Sequence, residues 1–315
     1  MSTGNLTVNA TAALNLGQGN VGGTLDANSG GAITQTGALT LAGTTTLNAG
    51  TAAITLGQAL NNLQGAITAT GGAVSLRSAH DLNLFALTQP ANRALVLEAG
   101  GTLFLPAGTG DIDTGTAALT LSSLGGAFST FGTLKGGDVT VRGQSVALAH
   151  DVTASGSLDV QSAAGTISQT AGKLVVTGTS RFDAGTAAIT LNQTANAFSG
   201  AVGLTGGTTS LVNSNALILD TSTITGNLVA NSGGHAISQA GALSVTGTSS
   251  FNAGSAAITL TNSGNSWTGA VGMTGGATQL RSAGALALGS STVSSLALTS
   301  GGAISQNAAI NVTGA

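Results

Sequence analysis

Cysteine and tyrosine are absent from this chain, tryptophan occurs once, and proline only twice, at Pro90 and Pro106. Charge is scarce as well: 5% of residues are Asp, Glu, Lys or Arg, against about 25% in an ordinary soluble domain. Each lack removes a class of function. A net charge of −3 with only seven Lys and Arg leaves no basic face, which excludes nucleic acid and anionic lipid as main partners. No apolar run approaches the roughly 18 residues of a membrane span, so the chain is not expected to insert in a bilayer. The first residues, Met-Ser-Thr-Gly-Asn-Leu, carry neither a basic segment nor an apolar core, so no signal peptide is expected in this stretch. The lack of cysteine suits a protein that crosses a periplasm unfolded and equally suits a reducing compartment.

What is present is small, apolar and β-forming. Glycine accounts for 50 of the 315 residues, and the apolar share of 42% is carried by Ala, Val, Leu and Ile. Thr, Ser, Asn and Gln make up most of the polar remainder. Disorder needs low hydrophobicity and high net charge, and neither holds here, the mean hydropathy being +0.38.

Internal repetition is the main signal. Gly-Gly-Ala-Ile-Thr-Gln-Thr-Gly-Ala-Leu starts at Gly30 and returns in variant form from Gly165, Gly234 and Gly301, placing Ile33, Ile167, Ile237 and Ile304 in one column. A worn copy stands at Gly100-Gly101-Thr102-Leu103. A second column holds Ile54, Leu119, Ile189 and Ile258, and a third holds Leu63, Phe128, Phe198 and Trp267. A fourth holds Arg77, Arg142, Val212 and Arg281. The columns step together by about 65 to 70 residues, a span suited to stacked supersecondary units. This spacing divides the chain 1–315, read as one continuous segment, into units near 30–100, 101–164, 165–234 and 235–301, with a partial unit at 302–315. Each unit contains three weaker sub-units of about 22 residues.

Inside the sub-units the pattern alternates, as in Leu39-Thr40-Leu41, Ile54-Thr55-Leu56 and Leu217-Ile218-Leu219, which is the period of a half-buried strand. Gly-Gly, Asn-Ala-Gly and Ser-Gly between them are turn chemistry. Short strands on a coil-sized period predict an all-β fold: a right-handed parallel β-helix, or β-solenoid, of roughly 14 coils with almost no helix. Outward Thr and Ser keep β-propensity high, and Gly and Ala suit a narrow interior.

With the motifs in hand a family resemblance emerges. Gly-Ala-Ile-Ser-Gln-x-Gly-Ala-Leu-x-Val-Thr-Gly, followed by Phe-Asn-Ala-Gly-x-Ala-Ala-Ile-Thr-Leu, resembles the repeats of large exoproteins related to filamentous haemagglutinin. The resemblance runs from Gly30 or earlier to Ala315 and implies an adhesin shaft exported by two-partner secretion in Gram-negative bacteria. It further implies a secreted or cell-surface location. The N-terminal secretion domain of that family is not found, and the sequence ends within a repeat, so the chain reads as a segment of a longer protein.

Candidate sites compete with plainer readings. Asp111-Ile112-Asp113 is half of a calcium-binding repeat motif, but it occurs as a single copy, and adjacent turns must share such an ion. Asp113 moreover aligns with Asn48, Asp183 and Asn252, each two residues before a glycine, where an Asx side chain shapes the turn. No metal or other cofactor is expected. His80-Asp81 and His150-Asp151 hold acid–base chemistry but fall in different columns and lack a nucleophile, so no catalytic residues are assigned. Arg77, Arg142 and Arg281 are candidate contacts to an anionic glycan, set against a reading as solvated arginines on one face, three coils apart. Leu63, Phe128, Phe198 and Trp267, with Leu47, Phe182 and Phe251, form core or sugar-stacking columns. Thr45, Thr55, Thr190 and Thr259 bring ice binding into view, although Ser, Gln and Asn interrupt their rows. Residues from Arg77 to Asp151 carry more than half of the charge, both prolines, the worn copy and an extra turn near Thr88–Arg93. A projecting recognition loop would belong there.

The expected function is therefore a structural stalk of a secreted bacterial adhesin that presents a distal binding region and is not an enzyme. A self-associating extracellular fibre is the alternative, followed by a β-helical carbohydrate-active enzyme and an ice-binding protein. Expected partners are host or neighbouring-cell glycans or proteins bound through regions outside this segment, and further copies of the rod end to end or side by side.

Overall fold

The computed structural model describes residues 4–105 and 110–314. Pro106 and part of the Gly-Thr-Gly-Asp-Ile-Asp motif lie outside them. The fold is an all-β parallel solenoid of about 15 turns, one more than expected, and no helix occurs among the described residues. It follows that no described helix is long and apolar enough to cross a membrane. The chain divides into two compact units, Met1–Val146 and Ala147–Ala315.

In the first unit each turn contributes strands to three parallel ladders. One joins Leu25–Ser29, Thr45–Asn48 and Ala66–Thr70, with Leu25 opposite Thr45 and Thr45 opposite Ile67. A second joins Ile33–Thr34, Ile54–Leu56, Val74–Ser78, Leu95–Ala99, Leu119–Ser123 and Val139–Gly143. A third joins Gly19–Val21, Leu39–Leu41 and Asn62–Leu63. Alternation explains the core. Leu95, Leu97 and Ala99 are fully buried while Val96 and Glu98 between them are only half-buried. Successive side chains of a strand point to opposite faces, so one face of each strand forms an apolar row along the interior. Thr45 falls on the inner face and is buried, which removes it from any outward threonine row. The inward threonine stands opposite Leu25 and Ile67 and keeps the β-branched shape of its row.

The second unit repeats this plan with a different phase. Ser180–Asp183 continues through Val202–Gly206, Ser222–Ile224, Leu243–Val245 and Ser266–Trp267. Ser249–Asn252, its equivalent one sequence repeat later, belongs to another ladder, that of Ile189–Leu191, Thr209–Val212 and Leu228–Asn231. Ile258–Leu260, equivalent to Ile189–Leu191, lies in a third, with Leu217–Leu219 and Ile237–Gln239. Equivalent residues thus advance by one face per repeat. The repeat of this unit is three turns plus one strand, not the three coils read from the sequence. In the first unit the phase is kept, for Ile54 reaches Leu119 along one ladder in three steps, through Val74 and Leu95. Towards the end of the second unit the short strands merge into Val271–Ser282 and Leu286–Ser300, which run through corners that elsewhere break the pairing.

Glycine sets how closely turns approach at one corner. A Cβ on Gly43 would lie 2.4 Å from the carbonyl oxygen of Gly23, and one on Gly65 would lie 1.9 Å from that of Gly43. The second unit stacks Gly200 on Gly178 and Gly269 on Gly247 in the same manner. Only a residue without a side chain allows backbone to rest on backbone there.

Candidate functional site

Asn48, Asp113, Asp183 and Asn252 occupy one kind of turn. The side-chain oxygen of each accepts the backbone N–H two residues on, from Gly50 at 3.1 Å, Gly115 at 2.7 Å, Gly185 at 3.0 Å and Gly254 at 3.0 Å. All four glycines have φ between +57° and +63°, the left-handed region in which an L side chain is strained. The same turn recurs at Asn231–Gly233 and Asn15–Gly17, which the repeat columns did not contain. The carboxylate of Asp113 also accepts from Lys135 Nζ at 2.8 Å. That hydrogen bond, with the one from the Gly115 backbone, holds its carboxyl below the ordinary value of 3.8. Among the described residues no group of three or more His, Asp or Glu is placed to hold a metal ion.

Both His-Asp pairs sit at turns where the aspartate works between coils. Asp81 Oδ1 accepts the backbone N–H of Thr102 at 2.7 Å, and Asp151 Oδ1 accepts that of Lys173 at 3.0 Å. Asn5, Asp111 and Asn227 do the same for Thr24, Thr133 and Thr248. An Asx oxygen offered to the next turn pairs a corner N–H that no ladder reaches, which pins the stacking register.

The arginines divide between the two units. Arg77 stands opposite Glu98, Glu98 opposite Ser122, and Ser122 opposite Arg142, so the two arginines share a ladder three steps apart, about 15 Å by the strand spacing. Arg77 Nε lies 3.7 Å from Glu98 Oε2, an exposed cross-turn ion pair. In the second unit Val212 is opposite Asn231, and Arg281 is opposite Thr299 in a different ladder. The fourth sequence column is therefore not one face of the second unit, because its phase advances with each repeat. Arg281 is exposed, and its backbone carbonyl accepts Trp267 Nε1 at 2.9 Å.

The aromatic columns face inward. Leu63, Phe128, Phe198 and Trp267 are all buried, as are Leu47, Phe182 and Phe251. Phe182 meets Phe198 edge-to-face at 5.9 Å and 84°, and Phe251 meets Trp267 at 5.7 Å and 82°. Such pairs contribute about 0.5–1.5 kcal/mol beyond the area they bury. Rings so placed cannot stack on a sugar.

A polar clasp not foreseen from the sequence lies next to these rings. Asn61, Asn196 and Asn265 are wholly buried. Gln169 Nε2 donates to Asn196 Oδ1 at 2.8 Å, and Asn196 Nδ2 donates to Gln169 Oε1 at 2.7 Å. The Asn196 oxygen also accepts the Leu174 N–H at 2.9 Å. Gln35 with Asn61, and Gln239 with Asn265, repeat the arrangement within 0.1 Å. Each asparagine stands two residues before Leu63, Phe198 or Trp267, and each glutamine closes the Ile-Ser/Thr-Gln motif. Where the worn copy has Leu105 in place of the glutamine, Gly126 replaces the asparagine, so both partners are lost together. That joint loss was the signal available in the sequence. An amide left alone in the core would forfeit its partner's hydrogen bonds at a cost of about 1–3 kcal/mol.

The outer surface of the first unit has a cleft of about 430 Å³, lined by Asn62, Gln64, Ala79, His80, Asp81, Gly100 and Gly101. Five of its seven lining residues lie in the stretch singled out by its charge and its extra turn. The turn itself is made by Gln89 Nε2 donating to the Ala94 carbonyl at 2.8 Å and by Asn92 at φ +59°. Asn92 Oδ1 in turn accepts the Thr116 N–H at 2.9 Å. Outward rows near Thr190 and Thr259 read Ser168-Thr190-Ser210 and Ser238-Thr259-Gln279, mixed rather than threonine throughout.

Comparison with known proteins gives one family. No curated protein and no solved structure matches the chain. A family model described as repeats of unknown function matches residues 3–70, 136–205, 206–274 and 275–315, leaving 71–135 between the first two matches. The extra turn and five of the seven residues that line the cleft fall in that interval, while Asn62 and Gln64 lie in the first match. These matches span most of the sequence, and the chain therefore belongs to the family of repeats of unknown function DUF5649.

Proposed function

We propose that this chain is a stalk segment of a secreted bacterial surface adhesin, a rigid spacer that holds a distal binding region away from the cell. The observation that carries this reading is the parallel ladder built turn upon turn, with one inward apolar row per face and a clasp that recurs in three of the repeats. Quasi-one-dimensional stacking of this kind extends by adding repeats and needs no new fold information. The motif resemblance to filamentous-haemagglutinin-like exoproteins supports the surface location and the two-partner export route. Scarce charge and absent cysteine are consistent with that route.

An antibody raised against residues 136–274 tests the proposal on intact cells that make the protein. Surface labelling, removed by external protease, is the expected result. Signal only after permeabilisation would reject a surface stalk. Sedimentation of the purified chain separates the alternative, since concentration-dependent filaments from this chain alone would favour a self-associating fibre.

A further inference from the structure

We infer that the first unit carries a binding site for an uncharged oligosaccharide, formed by the cleft at His80 and Asp81 with the exposed rings of Phe85 and Phe104. The strand Leu82–Thr88 follows directly from the cleft, and Asn83 in it stands opposite Phe104 on the next turn. Phe85 is two residues beyond Asn83. It falls at the bulge where Ile67 pairs with Leu84 but Thr68 pairs with Ala86. The alternation of each strand puts both rings on its outer face, with Phe85 67% exposed and Phe104 47% exposed. Positions diagonal across a ladder lie about 7–8 Å apart, within reach of one ligand spanning both rings.

The polar side of the site is built from different elements. Gln64 and Asn62 come from the turn before, His80 and Asp81 from the corner, and Gly100 and Gly101 from the turn after. Asn62 lines the cleft, and its Oδ1 is buried with no hydrogen-bond partner among the described residues. The Asp81 carboxylate gives one oxygen to the Thr102 N–H and has acceptor capacity left for a hydroxyl. A cleft of about 430 Å³ is within the range of small-ligand sites.

The chemistry selects among occupants. Exposed rings on the strands that leave the cleft, with amides, an imidazole and a carboxylate within it, match an oligosaccharide with apolar C–H faces and an equatorial rim of hydroxyls. No Lys or Arg lines the cleft. The nearest arginine in sequence, Arg77, is on the preceding strand and pairs with Glu98. An anionic glycan would meet the Asp81 charge without compensation, and a nucleic acid would lack the cations that dominate its affinity. A protein partner needs roughly 800 Å² of continuous surface on each side, more than two rings separated by polar groups provide.

The test is calorimetric titration of the whole chain with four neutral tetrasaccharides, of β-glucose, β-galactose, α-mannose and β-N-acetylglucosamine, and with a heparin tetrasaccharide. At least one neutral probe should bind, with affinity insensitive to salt between about 50 mM and 500 mM. Phe85→Ala and Phe104→Ala should each weaken it by about tenfold, with unchanged thermal midpoints because both rings are exposed. Gln64→Ala gives an independent polar readout that leaves the Asp81 contact between turns in place. The proposal is overturned if no neutral probe binds, if the double Phe85→Ala/Phe104→Ala variant binds as well as the parent, or if heparin binds best and is lost with Arg77→Ala.

Discussion

The two units place most of their aromatic residues differently. In the second unit Phe182, Phe198, Phe251 and Trp267 are buried and paired edge-to-face across the interior. In the first unit Leu47, Leu63 and Phe128 fill the corresponding inner positions, while three of its four phenylalanines, Phe85, Phe104 and Phe131, stand outside, with Leu60 and Leu124 also exposed. The second unit also holds a Gln-Asn clasp in each of its repeats, at Gln169–Asn196 and Gln239–Asn265, whereas the worn copy of the first unit has neither partner. One unit reads as a regular shaft. The other gives up regularity between residues 71 and 135, where the family model has no match, and carries a polar cleft there. The outward rings leave the core intact, because Leu82, Leu84 and Leu103 fill the inward positions beside them.

The largest effect that would test this contrast is expected at Phe182. Phe182→Ala should destabilise by about 3–5 kcal/mol, as measured by urea unfolding, because it empties a closed interior position. Phe104→Ala should stay within about 0.5 kcal/mol. Equal costs would end the inside-outside distinction between the units.

The clasp comes next. Asn196→Ala should cost about 1–3 kcal/mol by stranding the Gln169 amide and the Leu174 N–H. A double variant, Gln169→Leu with Asn196→Gly, copies the worn repeat and should cost less than the sum of the two single changes. A double-mutant cycle measures that coupling, and strict additivity would show the joint loss in the worn copy to be coincidental.

Where the units are alike the effect should be equal. Gly50→Ala and Gly185→Ala each place a Cβ in open space at φ near +60°, so both should cost about 1–2 kcal/mol from backbone strain alone. A large difference between them would mean that the shared turn is not equivalent in the two units.

The smallest effect concerns Asp113 and its exposed pair with Lys135. Its folded carboxyl is held below the ordinary 3.8, so its contribution is present at neutral pH and is lost as pH falls through that depressed value. The thermal midpoint of the parent should exceed that of Asp113→Asn at pH 7 in low salt by a small margin, and the margin should close as the pH falls through and below that depressed value. A margin that grows on acidification would reverse the assigned sign. Screening by solvent keeps it well under 1 kcal/mol.

Much of the fold was legible in advance. The alternation of Leu39-Thr40-Leu41 and its counterparts defined strands, since only the inner face of each can be apolar. The Asx positions at Asn48, Asp113, Asp183 and Asn252 were readable because a turn that needs a glycine at positive φ leaves a local two-residue signature. The clasp was harder to see. Its partners are more than 25 residues apart, and polar residues of this type are common on strand surfaces, so burial alone distinguishes Gln169 and Asn196 from their solvated neighbours. The cleft was legible only as an irregular stretch, because its walls come from three successive turns.

The sequence by itself determined the β-solenoid, its strand period and the chemistry of its turns, all of which follow from local alternation and short-range hydrogen bonding. Only the tertiary structure decided which face each repeat presents. A repeat of about 65 to 70 residues closes on itself only if it spans a whole number of turns, and the pairing shows that the second unit's repeat exceeds three turns by one strand. Residues aligned in sequence, Arg281 and Val212 among them, are thereby sent to different ladders. Facing depends on turn length summed over three coils, a quantity that no single motif contains.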